Sequence, residues 1–325
     1  MTTAYAVIMH RNGGPEVLQV EPFEPAQPGP GQVLVRQTAV GLNFIDTYVR
    51  SGLYPSALPS GLGGEAAGVV AALGEGADTF KVGDRVGYCT LGPGSYTTHR
   101  VADQDKLAPI PDGISDEQAA AALLKGCTAE YLIERCAKVE AGQWVLVHAA
   151  AGGVGTILVQ WLKAIGARVI AHAGNAEKAA LATELGADHA LSCPLSELAD
   201  AVKAITGVGA PVVLDGVGAA SWTASLASVA PRGLIVSYGN ASGPVPPFTA
   251  LDLMQRGSIF VTRPTLGTYC ATAPELRTSA ARMFAMIASG AVTLRIDQRF
   301  KLADAADAHR ALESRATTGA SVLIP

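Results

Sequence analysis

The sequence predicts an α/β protein, a doubly wound parallel sheet accompanied by a smaller β-rich unit. Three observations carry this. From Gly142 to Lys163 an apolar run, a glycine turn and an amphipathic stretch follow one another directly. After Lys163, strand-like and helix-like segments alternate, the pattern of parallel strands joined by crossover helices. Before about Pro111, short strand-like runs are separated by glycine and proline turns, as in a small barrel.

In chain order, Val33–Arg36, Gly68–Val70 and Arg85–Tyr88 read as strands of the first unit. Turns recur at Gly13–Pro15, Pro28–Gly31, Gly74–Gly76 and Gly92–Gly94. The period then changes. Ser115 and Gln118 have capping-box spacing ahead of an alanine-rich helix. Trp144–His148 is a buried strand, and the helix after it places Ile157, Leu158, Trp161, Leu162 and Ile165 on one face. Arg168–His172 is the next strand and Ala176–Leu185 the next helix, with Gly186 at its end. Strand Pro211–Leu214, helix Ala219–Val229 and strands Leu234–Tyr238 and Ser258–Thr262 complete the sheet. Helices near Pro274–Ser289 and Ala303–Glu313 precede a last strand, Ser321–Ile324, expected to return to the first unit.

At 325 residues the chain exceeds one ordinary core, so two domains are expected. A net charge of −4 and the lack of any basic run disfavour nucleic acid or an anionic membrane as partner. The N-terminal stretch lacks the form of a signal peptide, and no apolar segment is long enough to span a bilayer. The cytoplasm is the expected location. Five cysteines, an odd number without any Cys-x-x-Cys pair, give neither a disulfide framework nor a zinc knuckle.

The glycine turn carries the chemistry. Ala151, Gly152, Gly153, Val154 and Gly155 join a buried strand to a helix start. Small residues there let the backbone approach a pyrophosphate, and the helix N-terminus offers unpaired N–H groups. NAD sites place an acid about 20 residues further on, at the end of the second strand. Here that strand ends His172–Ala173–Gly174–Asn175, with no Asp or Glu, and Lys178 follows one turn later. The missing acid and the nearby cation suit the 2′-phosphate of NADPH; the plainer alternative is a solvated helix lysine.

These residues resemble a family. Gly142–Gln143, Leu146, Ala150–Gly153, Gly155, Gln160 and Lys163 resemble the quinone oxidoreductase and zeta-crystallin branch of the medium-chain dehydrogenase/reductase superfamily. The resemblance extends through Gly41–Tyr48, Arg50–Pro55, Leu124–Gly126, Tyr238–Gly243, Val261–Pro264 and Leu312–Thr317, across essentially the whole chain. It implies a GroES-like catalytic domain over 1–124, completed by 266–325, and a Rossmann NADPH-binding domain over 125–265, with the active site between them. It implies NADPH-dependent reduction of quinones to hydroquinones or semiquinones by a homodimer whose Rossmann edge strands pair near Ser258–Thr262. Zinc relatives need a Cys in the Gly41–Asp46 region and a His before Glu65; this chain has Asn43, Phe44, Ile45 and Gly64 there, so no metal is expected.

By the same resemblance, Asn43 and Tyr48 lie beside the nicotinamide and the acceptor, Asn43 to hold a carbonyl and Tyr48 to bond the cofactor or donate a proton. Asp46 orients its neighbours or caps a turn. Thr128 and Tyr131 lie on the hinge side of the cofactor or pack their helix. Tyr238, Gly239 and Asn240 follow a strand end, where α/β ligands bind. Arg263 and Arg315 are candidates for cofactor or closure contacts. Cys193 stands where bacterial members carry a Tyr near the 2′-phosphate, which weakens one contact. No Ser/His/Asp or paired-carboxylate arrangement is evident. The alternative within the fold is reduction of the C=C bond of α,β-unsaturated aldehydes or ketones, and outside it a structural NADPH-binding protein.

Overall fold

The computed structural model describes residues 4–314 and 318–325. The chain divides into two units: Met1–Cys127 with Cys270–Ser289 and Leu294–Pro325, and Thr128–Tyr269 with Gly290–Thr293.

In the first unit, β1 (Tyr5–Met9) lies between β2 (Leu18–Pro22) and β4 (Ser60–Gly61). The larger sheet is built on β3 (Gln32–Leu42), which pairs antiparallel with β5 (Ala66–Leu73) and β7 (His99–Asp103); β6 (Arg85–Tyr88) and β8 (Ala108–Pro109) continue it beyond β5. Alternate residues of β3, Val33 and Val35, enter a core with Val7, Met9, Leu62, Val70, Tyr88 and Leu107, as period-two patterning requires. Helix Phe44–Ser51 leaves the end of β3 and is amphipathic. Helix Asp116–Glu130 begins with the expected reciprocal cap: the Ser115 N–H donates to Gln118 Oε1 at 2.9 Å and the Gln118 N–H to Ser115 Oγ at 3.1 Å.

The second unit is one sheet of six parallel strands. In chain order they are β9 (Trp144–His148), β10 (Arg168–His172), β11 (His189–Leu191), β12 (Ala210–Asp215), β13 (Val229–Ser237) and β14 (Phe260–Thr262). Their spatial order, β11-β10-β9-β12-β13-β14, is that of a Rossmann sheet. Val145, Leu146 and Val147 are all fully buried, which explains the unbroken apolar run of a strand covered on both faces. The chain then returns to the first unit: β15 (Ile296–Lys301) pairs with β16 (Ala320–Ile324), and β16 pairs antiparallel with β3.

Of the elements that differ from the sequence reading, three do so for a plain local reason. The helix expected over Ala219–Val229 covers only Trp222–Ser228. The Ala219 N–H is bonded to the Gly243 carbonyl at 3.0 Å and the Ala220 N–H to Ser242 Oγ at 2.9 Å, so both serve a neighbouring loop. The strand expected from Leu234 begins at Val229, with a register shift against β12 and Arg232 at φ 60°. The edge strand expected from Ser258 begins at Phe260, because Gly257 and Ser258 are both left-handed, at φ 93° and 58°. Among the described residues, no helix is long and apolar enough to cross a membrane.

Candidate functional site

In the second unit the candidate residues other than Thr128 and Tyr131, which lie on the helical segment before β9, follow the carboxyl ends of the parallel strands. Chain progression reverses between β9 and β12, the switch point where such sheets bind ligands. After β9 the backbone turns sharply, with Ala149 at φ 50°. Helix Gly153–Ala164 starts from Gly152, which supplies no side-chain cap, so the first-turn N–H groups of Gly153, Val154 and Gly155 meet no capping side chain. Gly155 is needed for packing: a Cβ there would stand 2.2 Å from the Ala149 carbonyl oxygen. Ala151 is buried beneath the turn and Gly152 is exposed on it.

After β10, Gly174 and Asn175 are exposed, and a Cβ at Gly174 would meet nothing within 4 Å. Asn175 caps the next helix, its Oδ1 accepting the Lys178 N–H at 2.9 Å. Lys178 is thus fixed in the first turn, half-buried, beside a strand end that carries no carboxylate. Cys193 reaches this region through its carbonyl, 3.0 Å from His172 Nε2. Its side chain packs against the apolar cluster containing Leu146, Ile170 and Leu198.

After β12 and β13 two loops lock together. Tyr238 lies over Gly216, where a Cβ would stand 2.8 Å from the ring, and a Cβ at Gly239 would be 2.4 Å from the Gly216 carbonyl oxygen. Tyr238, Gly239 and Asn240 are half-buried at this end of the sheet. Arg263 follows β14, exposed, with Nη1 donating to the Pro264 carbonyl at 3.1 Å. Thr128 is buried, and the buried Tyr131 stacks on Tyr269 with ring centroids 4.6 Å apart. Arg315 lies outside the described residues.

Asp215, fully buried at the end of β12, shapes the loop after it. Its Oδ1 accepts the Val217 N–H at 2.8 Å, and Ser221 and Ser225 both donate hydroxyls to the carboxylate. Ser225 Oγ also lies 3.0 Å from His148 Nε2. Serine, histidine and aspartate therefore do meet here, although no such arrangement was evident in the sequence. The order is unlike that of a nucleophile: the serine stands between the other two, and all are sealed from solvent. Burial holds His148 down at a pKa of about 4, so it is neutral at pH 7.

In the first unit, Asn43 opens the helix Phe44–Ser51 and its N–H donates to Asp46 Oδ2 at 2.9 Å. The Asn43 side chain closes a capping box over the Asp46 backbone N–H, and its Nδ2 donates to Glu65 Oε2 at 2.6 Å. Asp46 is buried and also accepts the Tyr96 hydroxyl at 3.0 Å; desolvation raises its pKa to about 7. Tyr48 is half-buried, edge-on to both Phe44 and Tyr54.

Sequence reasoning missed Glu65 and Lys125 as site residues. Glu65 is fully buried, accepts the Leu124 N–H at 2.5 Å through Oε1, and lies 3.5 Å from Lys125 Nζ. A signal was present, since each is a lone charge within a run of small or apolar residues. Such charges are buried only when paired. Among the described residues, no three His, Cys, Asp or Glu side chains are grouped to hold a metal ion.

The residues fit a dinucleotide. The glycine turn opens a helix whose first amides lack a side-chain acceptor, Gly174 leaves open space, and the strand end carries no acid, with a lysine one turn later.

Comparison with known proteins agrees. Residues 29–112 match the alcohol dehydrogenase GroES-like domain and residues 153–285 match the zinc-binding dehydrogenase family. A quinone oxidoreductase of Pseudomonas aeruginosa is 50% identical over 96% of this chain and 97% of its own. The crystal structure of Pseudomonas syringae pv. tomato quinone oxidoreductase superposes with a TM-score of 0.97 at 49% identity, covering 99% of this chain and 100% of that one. That of Escherichia coli quinone oxidoreductase complexed with NADPH gives 0.96 at 45% identity, with the same coverage. With such identity along nearly its whole length, and the two domains in the same order, the chain belongs to the quinone oxidoreductase family.

Proposed function

We propose that this protein reduces quinones to hydroquinones with NADPH and without zinc, using Asn43 and Tyr48 at the acceptor. The observation that carries the reading is the nucleotide end of the parallel sheet. There an uncapped glycine turn follows one strand, and the adjacent strand ends without an acid and leads into a helix with Lys178 in its first turn.

NADPH, when bound, supplies the hydride. The Gly152–Gly155 turn receives the pyrophosphate through its amides, and Lys178 faces the 2′-phosphate. Gly174, Asn175, Tyr238, Gly239, Asn240 and Arg263 border the nucleotide, with Thr128 and Tyr131 shaping its site from within the fold. Asn43 holds the acceptor carbonyl through an amide N–H. Tyr48 gives a proton to the reduced oxygen and recovers one from water. A quinone accepts a hydride readily because the resulting oxyanion is delocalised, so no Lewis acid is required.

The working form is a homodimer joined along β14. Among the described residues that strand ends the sheet with one side unpaired, and Phe260 is 63% exposed on it. All five cysteines are free, in keeping with a reducing cytoplasm.

The test is NADPH oxidation by the purified protein with a small 1,4-benzoquinone and a 2-alkenal in parallel, with NADH as control. Turnover of the quinone with NADPH supports the reading. Turnover of the alkenal alone moves the function to double-bond reduction, and binding without turnover of either leaves a nucleotide-binding protein.

A further inference from the structure

A carboxylate sealed from water must find donors for its lone pairs, and those of Glu65 come from three places. Leu124 gives a backbone N–H at 2.5 Å, Asn43 gives an amide N–H at 2.6 Å, and Lys125 brings a positive charge to 3.5 Å. At that distance Lys125 acts as a charge; its Nζ is buried and, among the described residues, has no hydrogen-bond partner. Gly41 completes the socket, since a Cβ there would stand 2.2 Å from Glu65 Oε2. Burial pushes the Glu65 carboxyl pKa up, while Lys125 and the Asn43 bond pull it back.

The consequence falls on Asn43. An ionised carboxylate only accepts, so the amide must turn its nitrogen toward Glu65. A neutral carboxyl would take the amide either way round. We propose that Glu65 and Lys125 are positioning residues: their buried ion pair fixes the Asn43 amide with its nitrogen toward Glu65, so that its second N–H is presented to the acceptor. This rests on the reading that Asn43 serves hydride transfer. It gives the lysine a purpose that stability alone does not, because a buried ion pair is weak evidence for stability.

The test is a double-mutant cycle of Glu65→Gln and Asn43→Ala, followed by single-turnover NADPH oxidation with 1,4-benzoquinone and by NADPH affinity from nicotinamide fluorescence. In the wild-type background, Glu65→Gln slows the chemical step about tenfold or more with little change in NADPH affinity. In the Asn43→Ala background the same change alters the rate less than about twofold, because the path through Asn43 is already cut. Equal losses in both backgrounds overturn the proposal. Should Glu65→Gln alone fail to fold, the cycle is run with the pair Glu65→Gln and Lys125→Met, which leaves no orphaned charge.

A measurement on the ligand-free wild-type protein stands apart from activity. The Asn43 side-chain amide, assigned by its loss in Asn43→Ala, shows one proton shifted downfield and protected from exchange. Two ordinary, rapidly exchanging protons overturn the clamp. If no quinone is reduced with NADPH, the proposed function fails, while the amide signal still decides whether Glu65 holds Asn43.

Discussion

Gly41 and Glu65 are in such close contact that a Cβ at position 41 would stand 2.2 Å from the carboxylate and 2.3 Å from the Ala120 carbonyl oxygen. Neither neighbour yields easily, since one is a sealed carboxylate and the other helix backbone. Gly41→Ala is therefore expected to lower stability by about 3 kcal/mol through overpacking. Urea unfolding of the variant checks this. A wild-type midpoint would mean that the carboxylate does not occupy this socket.

Lys178→Ala removes a cation from the first helical turn after β10. A charge-assisted bond to phosphate is worth about 2 kcal/mol, so NADPH affinity should fall roughly thirtyfold. NADH affinity should hardly change, and the gap between the cofactors should narrow as salt is raised. Fluorescence titration with both cofactors reads this directly. Equal losses for the two would remove Lys178 from the 2′-phosphate.

What could be read from the sequence was local. Trp144–His148, Arg168–His172 and the Gly152–Gly155 turn are contiguous, and a strand covered on both faces writes its burial as an unbroken apolar run. The Ser115/Gln118 cap was legible for the same reason. The socket around Asn43 was not, because Glu65 is 22 residues away and Leu124 lies 59 beyond Glu65. Only the fold brings them together. The start of helix Trp222–Ser228 was misplaced because the Ala219 N–H is taken by Gly243, which no helical pattern records. Burial likewise decides that Ser225, His148 and Asp215 form a structural cluster, and spacing carries no burial.

Asp46 sets a pH dependence of stability. Desolvation raises its folded pKa to about 7 from the ordinary 3.8; the Asn43 and Tyr96 bonds and Lys125 oppose this, and Glu65 adds to it. The folded state therefore binds a proton that the unfolded state releases, and stability falls as pH rises from about 4 to about 7. Asn at this position stays neutral and its oxygen accepts the same Asn43 and Tyr96 donors. Relative to wild type, Asp46→Asn should gain stability through that window, by at most about 4 kcal/mol, and be level with pH beyond it. The difference between two sets of urea midpoints isolates Asp46 from His148 and His309, whose pKa values are lowered and whose effects run the other way. A difference independent of pH would show that Asp46 is ionised throughout.

Ser225 is a test of burial against pattern. It donates to Asp215 Oδ2 at 2.6 Å in a pocket closed to water. Ser225→Ala should cost about 2 kcal/mol, the desolvation left uncompensated on the carboxylate. Quinone turnover at a temperature where the variant is folded should match wild type, and a fluorophosphonate should not label the protein. Labelling at Ser225 would give the cluster a nucleophilic role that its geometry denies.

Phe260 tests the proposed dimer. It is 63% exposed on β14, the edge of the parallel sheet, and Leu251 and Met254 of the preceding helix are 57% and 56% exposed. An edge strand with an apolar side chain outward invites pairing with a second copy, and natural edges without partners are usually charged. Phe260→Asp places a charge on that edge and is expected to shift the protein from dimer to monomer in sedimentation equilibrium. Because the side chain is exposed within one chain, the monomer should keep its fold by circular dichroism, its apparent stability lowered only by the lost association energy. A wild-type protein that sediments as a monomer would sink the edge-strand dimer outright. A variant that stays dimeric would move the interface to another face.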